Sequence, residues 1–134
     1  MRTITEIRAA CAALPGSIET FPFDATTLVF KLGGERPAPD SDSPRETVYK
    51  MYALTGLTDD PVVLSLKCDP ERGEALRSKY RAVTPGYHLD KRHWISVRLG
   101  DGVPDELVGE LLRHSYDLVW AGLPRSVRDA LEAK

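Results

Sequence analysis

The feature that most constrains this chain is a run of strand-forming segments bracketed by helix signals rather than alternating with them. Ser17 to Phe23, Thr26 to Leu32, Thr47 to Leu54 and Val62 to Leu66 are short and apolar, and turn residues separate them. The second, TTLVFKL, alternates and is rich in β-branched and aromatic residues. In the third, Val48, Met51 or Tyr52, and Leu54 compete for the inner face, so its register stays open. Strands grouped in this way predict an α+β fold, an antiparallel sheet covered mainly on one face.

Helices are announced by their caps. Thr3-Ile4-Thr5-Glu6 matches a capping box, Ile4, Ile7, Cys11 and Leu14 then share one face, and Pro15-Gly16 ends the helix. Asp69-Pro70-Glu71 supplies an Asp cap, a proline at the first helical position and an acid near the positive end of the dipole. That helix is expected to reach Tyr80 with Ala75, Leu76 and Tyr80 inward. Pro104-Asp105-Glu106 opens the longest helix, with Leu107, Val108, Leu111, Leu112, Ser115, Leu118, Val119 and Gly122 on its inner face. A short helix follows over Arg125 to Leu131.

At 134 residues the chain suits one domain, 1–134, with one core. Gly33 to Glu46 (GGERPAPDSDSPRE) has three prolines, two glycines and no apolar period, and is expected to be an inserted loop. No apolar run reaches the roughly 18–20 residues of a membrane span. Glu6 and Arg8 interrupt the first apolar pattern, which speaks against a cleaved signal peptide. Cys11 and Cys68, in different elements, are expected to be buried thiols. The expected location is the cytoplasm, as a monomer or weak dimer without membrane contact.

Chemistry concentrates in Val83 to Arg98, VTPGYHLDKRHWISVR, where a Pro85-Gly86 turn leads into Tyr87, His88, Lys91, Arg92, His93 and Trp94. Net charge is −2, yet Lys67 to Arg98 holds eight basic and four acidic residues, a local +4 against −6 elsewhere. If these cations converge, they make a positive face on an otherwise acidic protein. Lys67, Lys91, Arg92 and Arg98 can meet phosphates, with His93, Trp94 or Tyr87 to stack or hydrogen-bond. Trp94 is expected to be core, and Lys91-Arg92 a solvated turn. The competing reading is a small-molecule or protein-binding module, with Tyr87, His88, Lys91 and Lys67 around an anionic ligand.

Other chemistries lack material. His88 and His93 come without a CxxC, HxxxH or HExxH pattern, so no metal site is expected. Ser115 sits on a helix without the strained turn of a serine nucleophile, and His114 and Asp117 are its helical neighbours. Cys68, beside Lys67 and just before a helix, has the surroundings of a lowered pKa but also those of a packed strand end. No catalytic residue and no cofactor are expected.

The segments LKCDPE (Leu66 to Glu71), PGYHLDKRHW (Pro85 to Trp94) and SYDLV (Ser115 to Val119) resemble the MmcQ/YjbR family of small bacterial proteins. So do Pro22-Phe23-Asp24, Lys50-Met51-Tyr52-Ala53 and the LVWAGLPRSVR tail, so the resemblance spans nearly the whole chain. It implies a CyaY-like two-layer sandwich with a twisted antiparallel sheet, and DNA binding through a double wing of sheet and loops. On that basis Lys67, Lys91, Arg92 and His93 form the expected contact surface, with Lys50 and Arg98 on adjacent strands. The Gly33–Glu46 loop is longer than the family's usual connection. Frataxin-like proteins share the fold and bind iron through an acid-rich first helix, but here that helix offers only Glu6.

Overall fold

The computed structural model describes residues 1–36, 40, 42, 45–86 and 89–133. Their order is α1 (Ile4–Ala12), β1 (Ser17–Thr20), β2 (Thr27–Arg36), β3 (Glu46–Gly56), β4 (Val63–Lys67), α2 (Pro70–Lys79), β5 (Val83–Pro85), β6 (Trp94–Arg98), α3 (Asp105–Ala121) and α4 (Arg125–Glu132). The strands form a six-stranded sheet in the order β1-β2-β3-β4-β6-β5, with every neighbouring pair antiparallel. Ile7, Leu76, Leu111 and Val127, one from each helix, share a single buried cluster with Phe30, Tyr52, Leu64 and Val97. The helices therefore cover one face, and the fold is the expected two-layer α+β arrangement.

The local signals act as the sequence predicts. Thr3 Oγ1 accepts the Glu6 N–H at 3.1 Å, and Asp69 accepts that of Arg72 at 3.2 Å. Several expectations change, among them Gly122, which is exposed while Tyr116 takes its place on the inner face of α3. The first strand stops at Thr20, leaving Phe21 and Phe23 exposed instead of paired. The Gly33–Glu46 loop is shorter than its composition suggested: β2 continues to Arg36 and β3 begins at Glu46, because hairpin pairing outweighs the glycines. Gly33 suits that pairing, since a β-carbon there would collide with the Val48 carbonyl. In α2 the inward residues are Gly73 and Leu76, and Tyr80 just past its end packs on the core as expected, while Ala75 faces water. A β-carbon on Gly73 would lie 3.3 Å from Ile95 Cγ2, so the helix approaches β6 closely at that point. The strand β5 was not anticipated; it pairs with β6 through Val83, Thr84 and Pro85.

The open register of β3 is settled by a β-bulge. Phe30 pairs with Ala53 but Lys31 pairs with Met51, which leaves Tyr52 as the extra residue. Tyr52 and Ala53 consequently both face the helices, and Met51 and Leu54 face the opposite side. The Tyr52 hydroxyl shares a hydrogen bond with Ser17 Oγ at 2.6 Å, and its ring meets Tyr116 edge-on at 5.6 Å. Burial pushes the neighbouring Cys11 thiol up to about 11, so Cys11 is packed and unreactive.

Where the bulge parts β3 from β4, α3 fills the gap. Ser115, fully buried, donates its hydroxyl to the Tyr52 carbonyl at 2.6 Å and accepts the Lys67 N–H at 2.9 Å. Ser115→Ala strips two main-chain groups, the Tyr52 carbonyl and the Lys67 N–H, of their partner. It should lower the unfolding free energy by about 2–4 kcal/mol, since each such unsatisfied group costs roughly 1–3. Urea denaturation measures this, and a loss below about 0.5 kcal/mol would contradict the bridging role.

Candidate nucleic-acid interface

The sheet face away from the helices carries a second, smaller apolar cluster of Val29, Leu54 and Trp94, with Met51 and Leu89 packed against it. Trp94 is 9% exposed, so it is core as expected, but core of the uncovered face. Antiparallel register puts Lys67 directly beside it, since Lys67 and Trp94 are Cα partners. Lys67 alternates with the helix-facing Leu64 and Leu66, which turns it to the same open side.

The segment between β5 and β6 closes against this edge. Gly86 donates its N–H to the Trp94 carbonyl at 2.9 Å, and a β-carbon on Gly86 would stand 2.7 Å from Trp94 Cβ. Asp90 then organises the tip. One carboxylate oxygen accepts the Arg92 N–H at 2.9 Å, and the other bonds His93 Nδ1 at 2.8 Å. The Asp90 carbonyl accepts from the N–H groups of His93 and Trp94. Chiefly through the His93 hydrogen bond, and then the Arg92 N–H, the Asp90 carboxyl is held below its ordinary range. Lys91 and Arg92 stand exposed on this turn, and no ion pair among the described residues engages them or Lys67. The His93 carbonyl accepts the Cys68 N–H at 2.8 Å, which ties the turn to the end of β4.

The remaining cations do not converge with these. Lys50 lies beyond the bulge on the helix side, where its ammonium donates to the Gly122 carbonyl at 2.9 Å, at the negative end of α3. Arg98 shares the open face but sits at the far end of β6, held by Asp101 at 2.9 Å. His93 is engaged by Asp90. Arg72, Arg77 and Lys79 belong to α2, in the helix layer. Of the cations expected on the positive face, Lys67, Lys91 and Arg92 are therefore the ones that stay together on the open side. Tyr87 and His88, named for an anionic-ligand pocket, lie outside the described residues. A cavity of about 770 Å³ does open on this face, but toward the Arg98 end, and Lys67 and Lys91 do not line it.

The residues weighed for catalysis are otherwise engaged. Ser115 has both hydrogen-bonding roles filled, and burial raises the pKa of the Cys68 thiol. His114 Nε2 accepts the Asp69 N–H at 3.2 Å, so its ring is neutral with the proton on Nδ1. Among the described residues, no group of three or more His, Cys, Asp or Glu could hold a metal ion, and no helix is long and apolar enough to cross a membrane.

The family model described as YjbR matches residues 12–118, which takes in the sheet, the 86–93 segment and most of α3. The chain belongs to the YjbR family. Within that family, the Escherichia coli K-12 protein YjbR is 30% identical over 129 residues, covering 96% of this chain and 97% of its own. The crystal structure of Deinococcus radiodurans DR2400, with a DUF419 domain, superposes with a TM-score of 0.84 at 48% identity, covering 98% of this chain and 89% of that one. A Pseudomonas syringae protein at 24% identity shares the fold, with a TM-score of 0.63 over 87% of this chain and 97% of its own.

The reading of the sequence missed Asp90 as organiser of the YjbR turn. The available signal was an Asp followed two and three residues later by main-chain N–H groups it can accept from. His114 generates a test of the adjoining helix start. Burial, and then the nearby Arg72, lowers its pKa from 6.5, while Asp69 and Asp117 oppose the shift. The neutral ring's contribution is therefore complete above about pH 6.5 and is lost as pH falls through the lower folded value. His114→Gln should flatten the dependence of stability on pH in that interval, read from urea melts between about pH 7.5 and 5. An unaltered slope would exclude His114 as its source.

Proposed function

We propose that this YjbR-family chain is a non-enzymatic, cytoplasmic DNA-binding protein with little sequence preference. The observation that carries the reading is the pair Lys91 and Arg92, exposed side by side on a turn that Asp90 holds in place. Lys67 stands on the adjoining strand as a third phosphate contact. Lys50 and Arg98 contribute nothing direct, and His93 acts mainly by fixing the turn. Trp94 and Leu89 support the turn from beneath instead of stacking on bases. Phosphate contact without base contact gives affinity and little specificity.

The experiment is the salt dependence of binding to random duplex DNA. Three neutralised phosphates predict a slope of log K against log salt of about −2.7, at roughly 0.9 per contact. Lys91→Ala with Arg92→Ala should reduce the slope to about −1 and leave the melting temperature nearly unchanged. Absence of binding even at low salt, or a double variant with the parental slope, would remove DNA as the partner.

A further inference from the structure

The uncovered face of the sheet is divided in charge along the strands. Lys67, Trp94 and the 89–93 turn mark one end, and Thr27, Gly56, Val63 and Arg98 mark the other. At this second end two turns meet, the Leu57 N–H donating to the Thr26 carbonyl at 2.8 Å. Between them and the sheet lies the cavity of about 770 Å³, within the size range of small-molecule sites. Its floor is apolar where Leu54, Val63 and Leu89 line it, and polar at Ser65 and Ser96. Phe23 forms a wall and is 64% exposed, the most exposed large hydrophobic among the described residues.

The rim carries Asp24, Asp59 and Asp60 against a single basic group, Arg98, which Asp101 already neutralises. Asp24 is fixed in its charged form by the Thr26 N–H, then by the hydroxyl and N–H of Thr27. The Asp59 carboxylate folds over Gly56, into space that a β-carbon there would occupy. Neither Asp59 nor Asp60 has a side-chain hydrogen bond or ion pair among the described residues. A concave site with an apolar floor, an exposed aromatic wall and a net negative rim selects against phosphates and carboxylates.

We propose that this cavity binds a small organic cation, an ammonium group on an apolar or aromatic body. The ammonium meets Asp59 and Asp60, and the body lies over Leu54 and Val63 beside Phe23. The site shares Leu89 with the 89–93 segment, but neither Lys91 nor Arg92 lines it.

The test is titration of the protein, followed by amide chemical shifts, with three probes of one shape: phenethylammonium, phenethyl alcohol and phenylacetate. Phenethylammonium should shift Thr27, Gly56 and Ser96 saturably and bind about tenfold tighter than the alcohol, with phenylacetate weakest. Asp59→Asn with Asp60→Asn should erase the advantage of the cation, and Phe23→Ser should weaken cation and alcohol alike. All three positions are exposed, and unchanged amide shifts in α3 report that the fold is intact. Lys91→Ala with Arg92→Ala should leave the titration unaffected. Equal affinity for cation and alcohol, a preference for phenylacetate, or no saturable shift with any probe would overturn the assignment.

Discussion

Much of this structure depends on one buried hydroxyl. Ser115 Oγ stands between the Tyr52 carbonyl and the Lys67 N–H, two main-chain groups that the bulge in β3 withdraws from the ladder. The β3–β4 pairing runs only from Ala53↔Leu66 to Thr55↔Leu64, and beyond it the strands need another source of hydrogen bonds. A helix supplies it, so the docking of α3 and the parting of the strands are a single event. A buried amide or carbonyl without a partner is costly, which makes any other seating of α3 unfavourable. Tyr52, turned inward by the same bulge, adds contacts to Ser17 and Tyr116 and links β1, β3 and α3.

The bulge also determines what the other face displays. It shifts alternation in β3 so that Met51 and Leu54 point away from the helices while Lys50 points toward them. Leu54 then joins Val29 and Trp94 in a cluster too small to need a second helical layer. The rest of that face is left to polar and charged groups, and antiparallel register sorts them by end. Lys67 and the 89–93 turn fall together because β4 ends where β6 begins. Asp24, Asp59 and Asp60 fall together because the β1–β2 and β3–β4 turns are neighbours at the opposite end. A chain with a net charge of −2 therefore carries a basic edge at one end of this face and an acidic rim at the other.

What could be read from the sequence was local. Thr3 and Asp69 cap main-chain N–H groups within three residues, Pro104 marks the start of α3 without a side-chain cap, and the helices begin at these positions. The α+β grouping was legible for the same reason, since strand and helix periods are properties of short windows. The register of β3 was not, because a bulge is chosen by what packs on both sides. The short β5 ends in a proline, which argues for a turn until β6 is alongside to pair with it. Charge excess over Lys67 to Arg98 was countable, but its direction was not: α2 carries its share into the helix layer and Asp101 neutralises Arg98. The acid-rimmed cavity was out of reach, since Asp24 and Asp59 become neighbours only when two turns close on each other.

Asp90 shows which quantity the basic edge favours. A carboxylate beside Lys91 and Arg92 weakens the attraction of the turn for phosphate, and replacing it with a neutral residue would raise the local charge. Instead, its two oxygens hold the Arg92 N–H and the His93 ring, and its carbonyl takes two further N–H groups. Four hydrogen bonds from one residue order a tip that would otherwise pay the conformational cost of fixing itself at each encounter. On the proposed reading, geometry that places Lys91 and Arg92 together before contact offsets the unit of charge that Asp90 removes.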